Sequence, residues 1–280
     1  MGNVLYVDKP SGMTSFDLCY SLRPVLHTRR IGHTGTLDPL ATGVMVVLYD
    51  KATKANQFLV SANKSYHARV KLGLKTDTLD IDGNILEHGS FILPEKERII
   101  RVLDSFIGRS MQTVPMTSAV RVDGKRLYQY QQENLEVELP EREITVHDIA
   151  LTDLYEDGFS FDVSVSSGTY IRALVRDILE KLDQIGCISE LRRTAIDDIT
   201  VDRCNSLDDI LNGNYISHDL YELLSVKYET VDYPDPSAIL NGKKITVQSN
   251  QDKILIVHDK EVLAIYEKEG EIYRCQRGLW

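Results

Sequence analysis

The chain has 280 residues, 42% of them apolar, and a formal net charge of −10. That apolar share supports a sizeable core in one large domain, or in one domain with a small appendage, and no uninterrupted apolar run approaches the ~18 residues that a membrane-spanning helix needs. The acidic average argues against a nucleic-acid partner only until it is divided: residues 1–130 carry 17 basic against 12 acidic side chains and the remainder 15 against 30, so a basic face can sit inside an acidic protein.

Residues 4–7 read as a short strand, and the turn DKPSGMTS that follows delivers Thr14 or Ser15 as a helix cap. The opening residues show no basic segment followed by an apolar stretch, and Tyr6 stands where acylation of Gly2 wants Ser or Thr, so the expectation is a cytoplasmic protein. Leu18, Leu22 and Leu26 recur at helical spacing and predict a helix to about His27. Next comes GHTGTLDPLATG, residues 32–43, in which Asp38 is the single charged side chain. With Gly35 and Gly43 freeing the backbone on either side, that carboxylate belongs to a shaped loop and not to a solvated charged face. VMVVLY then reads as a buried strand and residues 51–59 as a helix.

Tyr66, Ala68, Val70 and Leu72 alternate with polar residues, the period of a half-exposed strand with Tyr66 on its apolar side. Residues 97–106 and 125–134 are predicted helices, and residues 159–166 a strand. The clearest helix starts with Thr169 as its N-cap, since Ile171, Leu174, Val175, Ile178, Leu179 and Leu182 form one continuous apolar face. Arg172 then falls in the first turn, where the helix dipole is already positive, so it needs an anion nearby. A neighbouring acid such as Asp162 could supply it, which spacing alone favours; a functional anion is the alternative. Beyond the acidic stretch 197–209 the chain turns at YPDPSAILNGKK and carries two β-like runs, 254–257 and 262–266. A boundary is placed near Ser225, because the last ~55 residues make a marginal core alone and read as a small β-rich unit.

The chemistry of Asp38 is open on composition alone: nucleophile, general base, metal ligand, or the first residue of an Asx turn before Pro39, the commonest role of Asp-Pro. His33 and Asp38 find no obvious third metal ligand. Asp80, Asp82 and Asn84 resemble the start of a calcium loop, but Ile85 replaces the required glycine and Phe91 the bidentate glutamate, which leaves a polar turn. Cys19, Cys187, Cys204 and Cys275 are too dispersed for a zinc site and are expected as reduced thiols. Neither a GK[ST] phosphate loop nor GxGxxG occurs, so cofactor-free chemistry is the economical reading. The basic groups Arg23, Arg29, Arg30, then Arg121, Lys125, Arg126, then Arg192, Arg193 have solvated surface as their plainer explanation.

Five ordered blocks carry a resemblance. GHTGTLDPLATG is similar to the catalytic motif of the TruB-type pseudouridine synthases of bacteria, which isomerise the uridine at tRNA position 55 in the T-arm. DKPSGMTS resembles that family's first motif, residues 64–83 its tyrosine-bearing strand, SSGTYIRAL (residues 166–174) its arginine motif and ELRRTAI (residues 190–196) its leucine motif. The resemblance implies an α+β fold: a mixed, largely antiparallel pseudouridine-synthase-like sheet with flanking helices over residues 1–225, an RNA-gripping thumb at about 109–142, and a small PUA-like β-rich domain at 226–280. It implies that Asp38 attacks the flipped uridine, at the ribose or the base, that Tyr66 packs on the uracil, and that Arg172 pairs with Asp38 and keeps it ionised. His33 would occupy the place of the flipped nucleotide, and Tyr170 and Leu191 would line the pocket. Lys9, Arg30, Lys64, Arg121, Lys125 and Arg126 are the implied RNA-backbone contacts. The implied partner is tRNA alone, bound by a monomer with no cofactor, metal or membrane. A basic face beside an aromatic pocket is what base flipping demands.

The thumb departs from the family pattern. Val114-Pro115 stands for a Pro-Pro pair, Thr117-Ser118-Ala119 for Tyr-Ser-Ala, and the neutral run Gln129 to Gln132 for a basic helix end. This departure, with the overall acidity, motivates a rival reading as a non-catalytic RNA chaperone for tRNA; the joint presence of Asp38, Tyr66 and Arg172 argues against it. The same chemistry on another RNA is a third reading.

Overall fold

The computed structural model of the protein describes residues 3–60, 62–133 and 135–280. Gly2, and Asn134 at the end of one predicted helix, lie outside the described residues. β1 (Val4–Lys9) is buried along nearly its whole length, as a run of apolar residues without alternation requires. α1 (Ser15–Leu26) starts at Thr14 with a capping box: the Asp17 N–H donates to Thr14 Oγ1 at 3.0 Å and the Thr14 N–H to the Asp17 carboxylate at 3.1 Å. It buries Leu18, Leu22 and Leu26 and ends at His27 in the left-handed conformation. β2 (Ile31–His33) and β3 (Thr42–Tyr49) pair antiparallel, and the glycine loop connects them. The segment predicted as one helix is a tight 3-10 turn over Asp50–Ala55 followed by α2 (Asn56–Leu59). In β4 (Lys64–Leu72) the side chains of Tyr66, Ala68, Val70 and Leu72 are buried and the residues between them are half-buried.

β5 (Leu74–Thr76) and β6 (Ile85–His88) enclose residues 77–84, where the Asp77 carboxylate accepts from the backbone and side-chain nitrogens of Asn84 at 2.8 and 2.9 Å. The acidic turn thus closes on itself, and no cluster that could hold a metal ion occurs among the described residues. α3 (Lys96–Asp104) and β7 (Gly108–Thr113) lead to a hairpin of β8 (Arg121–Val122) and β9 (Lys125–Arg126), followed by α4 (Leu127–Gln132). The helix predicted from Lys125 therefore begins two residues later. Asp123 and Gly124 both hold positive φ, 49° and 80°, and their hairpin turn claims Lys125 and Arg126 first.

β10 (Glu141–Tyr155), β11 (Gly158–Val165), α5 (Ile171–Lys181) and β12 (Gly186–Ile196) complete the main layer. Tyr170, and not Thr169, is the N-cap of α5. The Thr169 hydroxyl donates back to the Ser166 carbonyl at 3.0 Å, no side chain caps the helix, and the backbone of Tyr170 is clamped by Gln112. Its amide oxygen accepts from the Tyr170 N–H at 2.9 Å while its nitrogen donates to the Tyr170 carbonyl at 3.1 Å.

After β13 (Ile199–Thr200), β14 (Asn205–Ser206), α6 (Leu207–Leu211) and α7 (Leu220–Ser225), the chain forms β15 (Glu229–Asp232), α8 (Pro236–Leu240), β16 (Lys253–His258), β17 (Glu261–Glu269) and β18 (Ile272–Gly278). The main sheet runs β14-β1-β3-β12-β4-β11-β10-β7, with β2 and β13 as side branches; only β1–β14 and β3–β12 are parallel. The fold is thus α+β with a mixed, largely antiparallel sheet. Where β3 meets β12, a Cβ on Gly43 (φ 106°) would lie 2.1 Å from the Arg193 carbonyl oxygen, so only glycine fits. The C-terminal strands form their own sheet, ordered β15-β16-β17-β18. One of its faces encloses Ile239, Ile254, Ile256 and Tyr266; the other, with Leu255, Val257 and Ile265, shares a core with Val4, Tyr6 and Leu224. The described residues contain no helix long and apolar enough to cross a membrane. All four cysteines are free.

Candidate active site

The loop around Asp38 is held by its backbone carbonyls. Lys9 is fully buried, and its ammonium donates to the carbonyls of Pro10 (2.8 Å), Pro39 (3.3 Å) and Ala41 (2.8 Å). Ser11 Oγ donates to Leu40 O at 2.9 Å, Ser15 Oγ donates to Leu37 O at 2.9 Å and accepts from Leu37 N at 2.8 Å, and the Gly12 N–H donates to Pro39 O at 2.9 Å. From the other side Arg193, 1% exposed, donates to the carbonyls of Val44, Gly35 and Thr36. Every carbonyl from Gly35 to Ala41 is thereby engaged, the Asp38 carbonyl by the Ala41 N–H at 3.1 Å. A loop whose carbonyls are all engaged holds its one carboxylate in a fixed place.

Arg172 meets that carboxylate side-on. Its Nε lies 2.8 Å from Asp38 Oδ2 and its Nη2 donates to Oδ1 at 3.0 Å, a bidentate pair in which the arginine side chain is 6% and the aspartate 34% exposed. The Asx-turn alternative is excluded because the turn uses the Asp38 carbonyl and leaves the carboxylate to Arg172; Asp162, the competing partner, bonds His67 Nδ1 at 2.7 Å. The guanidinium is saturated by Thr78 O (2.8 Å), Thr117 O (3.0 Å) and Thr117 Oγ1 (2.6 Å), with Asp80 Oδ2 at 3.8 Å from Nη1. Leu79, a branched residue held at φ 66°, orients the peptide that presents the Thr78 carbonyl. Burial pushes the Asp80 carboxyl above its ordinary range, with its hydrogen bond to Thr78 and the charge of Arg172 opposing.

The pair stands in a cavity of about 300 Å³ lined by Tyr66, Tyr170, Leu191, Lys64, Arg142 and Ser118 among others. The Ser118 hydroxyl is buried without a hydrogen-bond partner. Arg142 lies over the Tyr170 ring at 5.4 Å and donates to Gly168 O at 3.2 Å. Asp38, Tyr66, Tyr170, Arg172 and Leu191 thus line one cavity, and Lys64, expected at the RNA backbone, lines it with them. His33 is not in the lining; it sits on β2 beside Thr34, which is, and burial followed by the charge of Arg193 holds its imidazole below the usual value. Lys9 is a correction: its bonded, buried ammonium supports the loop and is closed to a phosphate. Arg193 also faces inward, while Arg192, half-exposed, pairs with Asp8 at 2.7 and 3.1 Å. Burial lowers Lys9 and Lys64 to about 8, with the Arg193 charge acting in the same direction on both. Arg30, Arg121 and Arg126 are exposed outside the cavity, and Lys125 pairs with Glu133.

Residues 23–171 match the model of the TruB family pseudouridylate synthase N-terminal domain. The chain belongs to the TruB family of pseudouridylate synthases. As a member it is an enzyme, an RNA pseudouridine synthase, and its relatives align over nearly their whole length. The tRNA pseudouridine synthase B of Lactobacillus acidophilus is 35% identical over 98% of this chain and 97% of its own, and that of Caldanaerobacter subterraneus 37% over 98% of each. Among solved structures, a Cbf5-Nop10-Gar1 complex matches 99% of this chain and 84% of its own, with TM-score 0.72 and 23% identity. An H/ACA RNP bound to a substrate RNA containing 2'-deoxyuridine matches equally, at TM-score 0.72 and 22% identity; both show the fold of this TruB-family chain. Sequence reasoning missed Asp80, Thr117, Gln112 and the inward role of Arg193. Asp80 was masked by its likeness to a calcium loop, and the others act through backbone groups that carry no residue signature.

Proposed function

We propose that this TruB-family synthase isomerises uridine to pseudouridine at position 55 in the T-arm of tRNA, with Asp38 as the nucleophile and Tyr66 and Arg172 completing the catalytic set. The observation that carries this reading is the bidentate Asp38–Arg172 pair inside the cavity that Tyr66 and Leu191 line. The isomerisation breaks the bond from C1′ to N1, turns the uracil, forms a bond from C1′ to C5, and moves one proton net from C5 to N1. Those steps ask for a carboxylate oxygen held ready, a pocket that retains the detached base, and no redox change. Tyr66 and Leu191 offer the base two apolar surfaces, and Tyr170 with Arg142 borders the entrance. His33, at the rim through its neighbour Thr34, stands ready to take the stacking place of the extruded nucleotide.

Lys64 at the cavity and the exposed Arg30, Arg121 and Arg126, with Lys125 beside them, are the contacts assigned to RNA phosphates; recognition of this kind is mainly by shape and backbone. A boundary near Ser225 separates the catalytic unit from a PUA-like C-terminal unit, and the protein acts as a monomer in the cytoplasm. The relatives named tRNA pseudouridine synthase B support tRNA as the substrate. The test is to incubate the protein with an unmodified tRNA transcript and map pseudouridine by carbodiimide-dependent primer extension. One new stop in the T-arm loop is expected. A stop elsewhere contradicts the assigned position, and binding without any stop restores the chaperone reading.

A further inference from the structure

We propose that Thr117 is a positioning residue for Arg172, and that through it the basic hairpin and the Asp38–Arg172 pair are seated as one unit. The inference rests on reading Asp38 and Arg172 as the catalytic pair. A guanidinium has five N–H donors; in Arg172 four make hydrogen bonds and Nε stands 2.8 Å from Asp38 Oδ2 as an ion pair. Of the four, one meets Asp38 Oδ1, one meets the Thr78 carbonyl, and two meet Thr117, at its carbonyl (3.0 Å) and at its hydroxyl (2.6 Å). Arg172 is 6% exposed, so water has little access to replace a lost partner. The Thr117 contacts fix the rotation of the guanidinium about its own axis, which decides whether Nε and Nη2 face the two oxygens of Asp38 or swing toward Asp80.

Thr117 is not isolated from the rest of its segment. Tyr128 N donates to the Ser118 carbonyl at 3.1 Å and Leu127 N to the Val120 carbonyl at 2.8 Å, so the first turn of α4 and the β8–β9 hairpin are bonded to residues 118–120. At the other end of the same connection Gln112 clamps the Tyr170 backbone and the Thr113 carbonyl accepts from Arg176 Nη2 at 3.4 Å. The start of α5 is thus tied to the hairpin-bearing segment at Tyr170, Arg172 and Arg176. Displacement of that segment as the hairpin moves would carry Thr117 away from Arg172.

The test compares Thr117→Val, which removes the hydroxyl and keeps the shape, with Thr117→Ser, which keeps the hydroxyl. Single-turnover pseudouridine formation on unmodified tRNA, tRNA dissociation constants and thermal melting are measured for both, with Asp38→Asn in parallel. T117V is expected to react about tenfold more slowly, the scale of one hydrogen bond to a charged group, with tRNA affinity unchanged, and T117S to react at close to the wild-type rate. A wild-type rate for T117V, an equal loss in T117S, or a loss confined to tRNA affinity overturns the proposal. Activity retained by D38N overturns the reading of the site beneath it, whereas an inactive D38N beside a fully active T117V removes Thr117 alone.

Discussion

Replacing Arg172 by lysine keeps the positive charge and changes only its shape, so it isolates what the guanidinium geometry contributes. Arg172 makes four hydrogen bonds, one of them to Asp38 Oδ1, and its Nε lies 2.8 Å from Asp38 Oδ2 as an ion pair. Lysine offers three donors at one point and cannot bridge both oxygens of Asp38 while reaching the carbonyls of Thr78 and Thr117. At least two bonds to or from a charged group are lost, each worth about 1.5–3 kcal/mol, for a raw sum of about 3–6 kcal/mol. The Asp38 side chain is 34% exposed, however, and water recovers part of the loss on that side. The lower end, about 3 kcal/mol, is therefore the appropriate figure, and it corresponds to a rate about 10²-fold lower if expressed in the transition state. The assay is single-turnover pseudouridine formation at saturating enzyme, with tRNA affinity measured separately. A rate for R172K within about threefold of wild type would refute the argument that bidentate geometry matters. So would a defect found wholly in tRNA affinity, since the pair lies inside the cavity and away from the exposed basic residues.

Lys9→Met removes the ammonium that Pro10 and Ala41 accept from, while Pro39 keeps the Gly12 N–H; a loss of about 1–3 kcal/mol in thermal or urea unfolding is expected, together with slower turnover, and unchanged stability would show that water replaces the ammonium. Lys64 provides a pH signature: burial, then the Arg193 charge, lowers its ammonium from 10.5 to about 8. The protonated form binds phosphate, so tRNA affinity should be level below that value and fall as pH rises through it, until the pH at which the phosphate-bound ammonium itself loses its proton. Lys64→Arg stays charged and should flatten the profile, whereas a wild-type affinity level up to pH 9.5 would remove Lys64 from the interface.

The residues that meet in the cavity were legible because each was anomalous where it stood. Asp38 was the lone charge in a glycine loop, Arg172 a cation at the positive end of a helix, and Tyr66 an aromatic on the apolar face of an alternating strand. Their meeting depends on long-range pairing that no local pattern encodes, since Arg172 reaches Asp38 across 134 residues of chain. Lys9 and Arg193 misled in the opposite way. A basic residue reads as surface, yet both are buried and satisfied by backbone carbonyls, which have no side-chain identity to detect. The start of α5 was placed one residue early because the Thr169 hydroxyl turns back to the Ser166 carbonyl and Gln112, 58 positions away, fixes the backbone of Tyr170. The strand Ile272–Gly278 went unseen because its edge position tolerates the charged and polar residues that blur alternation.

Asp38→Asn keeps the size of the side chain and removes only its charge, and so bears on the central claim directly. With unmodified tRNA under single-turnover conditions, wild type should convert one uridine in the T-arm, while D38N should bind the tRNA comparably and form no pseudouridine. Pseudouridine appearing at the same position and the same rate with D38N would contradict the account.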